Sequence, residues 1–326
     1  MSAPVYLYNP LPAALHHFQR ELVDVLSTAG VPLAECRAPS AELGGSTGVA
    51  RVRAAVTELT GRLRRDRRGG HVLVCWPTYG LLEPALWLPT AALADVSVVV
   101  HDPSPLRRQP GMGDLSARLG GLAARWSRVR VIVHSAPASA RLVSLGWPRP
   151  HRLPHPILLD RVTDAAGGER STVLVCGQYK PARDLRLLAE LGYRLTERGF
   201  RPVIAGRGWP LLPSWQVVDR FLPEAELDRR MLDSAAVLVP YSHFYQSGIA
   251  VRAMELGVPV VGPDHPFLAE LFGVDWPGLV SDNGASRADD WADAIRAVAG
   301  RGSDVERSAK QFRVRCEREW SDYFAH

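Results

Sequence analysis

The chain has 326 residues, 46% hydrophobic and 22% charged, which is the balance of a globular protein long enough for two domains of about 150 residues. Its net charge is +5, and nearly all of the positive charge is arginine, with lysine only at 180 and 310. No apolar run reaches the ~18 residues of a membrane span, MSAPVYLYNP lacks a basic segment ahead of an apolar core, and Cys36, Cys75, Cys176 and Cys316 form no CxxC or Cys/His cluster; a cytoplasmic protein without disulfide framework or zinc site is expected.

Short apolar strands alternate with longer amphipathic segments, the pattern of parallel sheets covered by helices, so the fold class is α/β. In the first half, strands are expected at 5–8, 72–75, 96–100 and 129–133. Helices are expected at 16–28, closed by Gly30, and at 137–145, closed by Gly146. The strands end in Asn9-Pro10, Trp76-Pro77-Thr78, His101-Asp102-Pro103 and His134-Ser135, and ligands of open α/β sheets bind at such carboxyl ends. A lone histidine such as His101 is more often a structural hydrogen bonder than a catalytic group.

A helix with Val52, Val56, Leu59 and Leu63 on its apolar face is expected to end in RLRRDRRGG. There Arg62, Arg64, Arg65, Arg67 and Arg68 complement the dipole of a last turn. Residues 1–165 carry net +7 and residues 166–326 net −2, so a second reading is peripheral contact with an anionic membrane at its inner face. No nucleic-acid motif accompanies the arginines, and nucleic acid is not an expected partner. The glycine-rich, charged DRVTDAAGGER reads as a linker between domains at 1–160 and 171–304.

After it the alternation restarts, with strands expected at 172–176, 203–205, 237–239 and 260–261 and helices at 288–299 and 305–323. CGQYKPARDL follows the first of these strands. Basic groups at such a point can neutralise phosphate; the plainer reading is a solvated helix start with Arg183 paired to Asp184 or Glu190. PYSHFYQSGIAVRAMELGVPVV, from Pro240 to Val261, joins a strand, a polar loop and a helix starting near Gly248. Unbonded N–H groups of a first turn, the helix dipole and a glycine together make an anion cradle.

The order PY, QSG and GxPVV resembles the donor-binding segment of retaining GT-B glycosyltransferases of the family-four group, in particular exopolysaccharide-type members that read QSG. CGQYKPARDL is similar to their GxxRPxKGL stretch, with Gly177 on the glycine, Lys180 on the arginine, Arg183 on the lysine and Asp184 in place of the next glycine. HDPSP looks like their HDP segment, although Leu106 stands where a further histidine is usual. A pair of glutamates seven residues apart, the second of which binds the nucleotide ribose in many members, falls here on Phe244 and Arg252.

The resemblance implies a GT-B fold of two Rossmann-like domains facing across a cleft, with the last helix, 305–326, returning to the first domain. It implies transfer of a sugar from a nucleotide-diphosphate sugar to the hydroxyl of a sugar, lipid-linked or small-molecule acceptor, with retention and with neither cofactor nor metal. His101, Lys180 and Arg183 would be catalytic. Gly177, Gln246, Ser247, Gly248, Ile249, Ala250 and Arg252 would bind the donor, the amides of residues 247–250 reaching phosphate and hexose. Asn9 and Asp102 would stand on the acceptor side. Two rival readings share the fold: a sugar-nucleotide epimerase, and a non-catalytic partner protein with a degraded donor site.

Overall fold

The computed structural model describes residues 3–12, 15–34, 60, 62, 69–104, 109–159, 170–281 and 287–325. The expected helix through Val52, Val56, Leu59 and Leu63, the arginines at 64, 65, 67 and 68, Cys36, Leu106 and the linker at 160–169 lie outside the described residues. The chain divides into two compact units. Unit 1 comprises Met1–Leu158 and Val314–His326, and unit 2 comprises Leu159–Arg313.

Unit 1 is a parallel sheet in the order β2-β1-β3-β4-β5-β6, formed by Leu33–Ala34, Val5–Tyr8, His71–Val74, Asp95–Val99, Val129–Val133 and His151–Arg152. The central strands are rich in aliphatic residues because helices cover both faces; all four residues of β3, His71 among them, are buried. The described helices are α1 (His16–Thr28), α2 (Glu83–Leu86), α3 (Leu88–Ala91), α4 (Asp114–Trp126) and α5 (Ala136–Ser144). Gly30 and Gly146 close α1 and α5 at φ 73° and 81°, conformations that cost a residue without Cβ little. From β1 the chain moves outward to β2, then returns to the other side with β3, so the switch point of this sheet lies between β1 and β3.

Unit 2 repeats the plan in the order β12-β11-β10-β7-β8-β9, from Leu279–Val280, Val260–Pro263, Ser234–Leu238, Thr172–Cys176, Arg201–Ala205 and Gln216–Val218. Its helices are α6 (Leu185–Glu197), α7 (Glu224–Leu232), α8 (Gly248–Glu255), α9 (Pro266–Phe272) and α10 (Arg287–Val298), and α11 (Gly302–Ala325) ends the chain. All sheet pairings are parallel; β10 pairs with β7 from Ser234↔Thr172 to Leu238↔Val175. Here the order reverses between β7 and β10, the usual place for a ligand in an open α/β sheet.

The C-terminal part of α11 belongs to unit 1. Cys316 Sγ donates to His155 O (3.3 Å) and Trp320 Nε1 to Pro154 O (3.0 Å), while Tyr323 shares a 2.5 Å hydrogen bond with Ser97 Oγ. Among the described residues no helix is long and apolar enough to cross a membrane.

Arg62 departs from the membrane-facing reading of the RLRRDRRGG arginines. It is 1% exposed, its Nη1 lies 2.9 Å from Glu83 Oε1, and its guanidinium faces the rings of Tyr79 and Trp87. Glu83 also accepts from Trp87 Nε1 (2.9 Å) and Tyr79 N (3.0 Å), which anchors the turn before α2. A buried charge held this way offers nothing to a membrane.

His71 shares a 2.7 Å hydrogen bond with Ser97 Oγ in unit 1, and His265 caps α9 in unit 2. Burial, seconded by Arg130 and opposed by Asp95, pushes the pKa of His71 from 6.5 down to about 4. Burial likewise pushes His265 to about 4. The unfolded chain therefore binds protons that the folded one refuses: stability is full above pH 6.5 and falls as the pH drops from 6.5 through about 4. For His71 the loss is roughly 3 kcal/mol. Urea unfolding at pH 7 and pH 5 captures about 2 kcal/mol of it, and His71→Gln should remove that share while leaving the share of His265; an unchanged pH slope in that variant would remove His71 as a source.

Candidate functional site

The densest constellation in unit 2 sits where β7 and β10 part. Buried β7 ends at Cys176, and Gly177 turns the chain at φ 93°. Gly206, after β8, takes φ 150°, and a Cβ there would lie 2.2 Å from Gly177 O, so two glycine turns abut. Trp209 Nε1 donates to Gly177 O at 2.8 Å and packs edge-on against Tyr179.

The loop after Gly177 folds back on the loop after β10. Arg183 N donates to Lys180 O (2.9 Å), Asp184 N to Pro240 O (2.9 Å) and Ser242 N to Ala182 O (2.9 Å), and Arg183 and Tyr241 form an antiparallel bridge. This ladder fixes Arg183, which is 4% exposed. Its Nη2 donates to Cys176 O at 2.7 Å, and its guanidinium lies 4.1 Å from the Tyr241 ring centroid and 5.2 Å from that of Trp209. Its Nε and Nη1 are buried without a hydrogen-bond acceptor. Burial lowers the arginine's pKa, opposed by Tyr241 and Cys176, and pushes the Cys176 thiol up to about 12, so this sulfur supplies no counter-charge at neutral pH.

The plainer reading of CGQYKPARDL is overturned here. Arg183 is neither solvated nor paired to a carboxylate. Asp184 instead caps α6, accepting from Leu187 N (2.9 Å), and binds Arg287; Glu190 pairs with Arg186 at 3.6 Å.

Ser247, Gly248 and Ile249 start α8 beside this arginine. A Cβ on Gly177 would meet Arg183 Nη2 at 3.4 Å and Ile249 Cδ1 at 3.7 Å, so Gly177 separates the cation from the helix start. Gly248 is exposed, with no atom within 4 Å of the Cβ it lacks. First-turn N–H groups have no intrahelical acceptor. The amide of Ala250 is a correction to the expected cradle: Ser247 Oγ, as N-cap, accepts from it at 3.2 Å, so within the unit this N–H is already bonded. Lys180 and Gln246 are both half-buried, Lys180 in the Arg183 turn and Gln246 just before the cap.

Arg252 departs from its expected place among the donor ligands. Its guanidinium is 6% exposed and sits bidentate on Asp228 of α7, Nε to Oδ1 and Nη2 to Oδ2 at 2.7 Å each, with Nη1 3.4 Å from Glu255. The donors are consumed in tying α8 to α7. Phe244, at the other glutamate position, is buried and stacks on His265 at 3.9 Å.

In unit 1, His101 and Asp102 follow β4 and line a small recess with Trp76, Pro77, Leu81 and Met112. His101 is 3% exposed; its Nε2 donates to Cys75 O at 2.8 Å, Trp76 stacks on it, and Phe18 meets it edge-on. His134 and His155 complete a buried histidine cluster, with ring centroids 5.5 Å from His101 to His134 and 5.0 Å from His134 to His155. His134 Nδ1 donates to Leu153 O (3.0 Å), its Nε2 is buried without a hydrogen-bond partner, and burial holds its pKa well below 6.5. Asn9, expected on the acceptor side, has its amide engaged within unit 1. Its Oδ1 accepts from Leu11 N (2.9 Å) and its Nδ2 donates to Gln19 Oε1 (2.7 Å), which secures the turn between β1 and α1.

Sequence reasoning missed Tyr241 and Trp209 as the walls of the arginine, and Asp228 as the partner of Arg252. Pro240-Tyr241 was visible as part of the motif, but no spacing rule relates a ring at 209 to a cation at 183.

No family model matches the sequence, and no curated protein matches it. Solved structures do. Anabaena HepE in complex with UDP and glucose superposes at TM-score 0.67 and 11% identity over 100% of both chains. The UDP-forming α,α-trehalose-phosphate synthase of Burkholderia vietnamiensis follows at TM-score 0.63 and 14% identity, over 99% of each chain. TarM matches at TM-score 0.62 and 14% identity over 85% of this chain, which spans 58% of TarM's length. At such identities the likeness speaks for architecture: the chain has the GT-B fold of these glycosyltransferase structures, with two Rossmann-like units.

Proposed function

We propose that the chain is a glycosyltransferase that moves a sugar from a nucleotide-diphosphate sugar to an acceptor hydroxyl, with retention at the anomeric carbon. The observation that carries this reading is Arg183, a buried cation at the β7–β10 switch point with Nε and Nη1 lacking acceptors. A diphosphate supplies acceptors of the right charge, and the guanidinium fork suits two of its oxygens. Gly248 and Ile249, one glycine away, add first-turn amides and the positive end of a helix dipole.

Negative charge builds on the diphosphate as the glycosidic bond breaks, and preorganised donors stabilise that charge more than the ground state. Lys180 and Arg183 take this role without a metal ion. The departing phosphate accepts the proton of the incoming hydroxyl on the same face of the sugar, which gives retention. His101 and Asp102, lining the recess in unit 1, take the acceptor side. UDP in the HepE structure, and UDP with GlcNAc in that of the pneumococcal O-GlcNAc transferase GtfA, make uridine the first base to test.

The test is thermal unfolding with UDP, GDP, ADP and dTDP in parallel, with EDTA present. A ligand at about 100 times its Kd adds ~2.7 kcal/mol, and one nucleotide is expected to raise Tm by several degrees. No shift with any of the four would sink the donor site and leave the non-catalytic reading.

A further inference from the structure

Helix α4 carries its small residues inside and its large ones outside. Ala117, Gly120, Gly121 and Ala123 face the unit. A Cβ on Gly120 would lie 1.9 Å from Leu81 O and 2.9 Å from the Trp147 ring, and Trp147 Nε1 donates to Ala117 O at 2.9 Å. The opposite side shows Leu115 (71% exposed), Leu119 (42%), Leu122 (54%) and Trp126 (79%), spaced four, three and four residues apart on one stripe. Single exposed apolar side chains are ordinary, but a stripe of four this large is not.

Arg118 and Arg125 border the stripe, both exposed. From Leu115 to Leu159 the chain carries seven arginines and no carboxylate. Of these, Arg128, Arg141, Arg149 and Arg152 are exposed as well. A second copy of the chain is a poor cover for such a face, because a two-fold interface would set arginine against arginine with only Asp114, in the first turn of α4, to offset them.

We propose that the α4 face docks unit 1 onto an anionic lipid surface. Leu115, Leu119, Leu122 and Trp126 enter the boundary between headgroups and acyl chains, the tryptophan at the depth where such rings accumulate, and the arginines meet lipid phosphates. The proposal does not depend on the RLRRDRRGG segment or on the transferase reading.

Co-sedimentation of the full chain with vesicles of phosphatidylcholine alone, or mixed with phosphatidylglycerol, tests the proposal. Binding is expected to the anionic vesicles only and to weaken with salt. Leu122→Ser/Trp126→Ser and, separately, Arg118→Gln/Arg125→Gln should each cut it by about tenfold or more, with Tm and the nucleotide response of the wild type retained. The retained nucleotide response separates failure here from failure of the donor site. Wild-type protein that ignores anionic vesicles, variants that bind as well as wild type, or a dimer in analytical ultracentrifugation that the apolar double variant dissolves would each overturn it.

Discussion

Arg183→Met is expected to abolish the nucleotide-induced rise in Tm and to lower turnover by roughly a hundredfold or more, while the ligand-free variant melts no lower than the wild type. The two halves of this result have one cause. A guanidinium taken out of water costs several kcal/mol unless it is paired. The bond from Nη2 to Cys176 O and the ring and hydroxyl of Tyr241, with the face of Trp209, offset part of that cost, and Nε and Nη1 have no well-formed hydrogen bond. Methionine fills similar space without the charge, so the empty site relaxes as the anion site disappears. Arg183→Lys keeps the charge but loses the fork, and an intermediate nucleotide response is expected. Calorimetric melts with and without UDP decide the matter. A methionine variant that melts several degrees lower yet keeps its UDP response would make Arg183 a structural cation.

Arg252→Met should do the opposite. Removing one partner leaves Asp228 and Glu255 as buried carboxylates without their cation, a loss of about 3–5 kcal/mol. In a unit of this size that lowers Tm by roughly 10 °C. Adding Asp228→Leu should restore much of the loss, because an apolar pair of similar volume replaces a charged one, and the double-mutant cycle then gives the coupling directly. UDP affinity per folded molecule should stay near wild type. Lost affinity at unchanged Tm would return Arg252 to the donor site.

The alternation of strand and helix, the two sheets and the positions of most central strands were determined by the sequence itself, because buried parallel strands must be aliphatic runs and helices must show a 3.6-residue stripe. The glycine turn at Gly177 was legible for a similar reason: its φ of 93° suits a residue without Cβ, and it stands next to a strand end. Side-chain partnerships were not legible. Whether Arg183 keeps donors to spare and Arg252 is spent on carboxylates, or the reverse, depends on Asp228 and Trp209, which lie 24 residues from Arg252 and 26 from Arg183 in the chain and approach only once the parallel sheet of unit 2 is formed. The same holds for Asn9, spent on its own turn, and for Arg62, buried on Glu83. On α4, periodicity alone would turn the leucines inward. Tertiary structure decided otherwise, because Trp147 and the Leu81 carbonyl leave room only for alanine and glycine on the inner face.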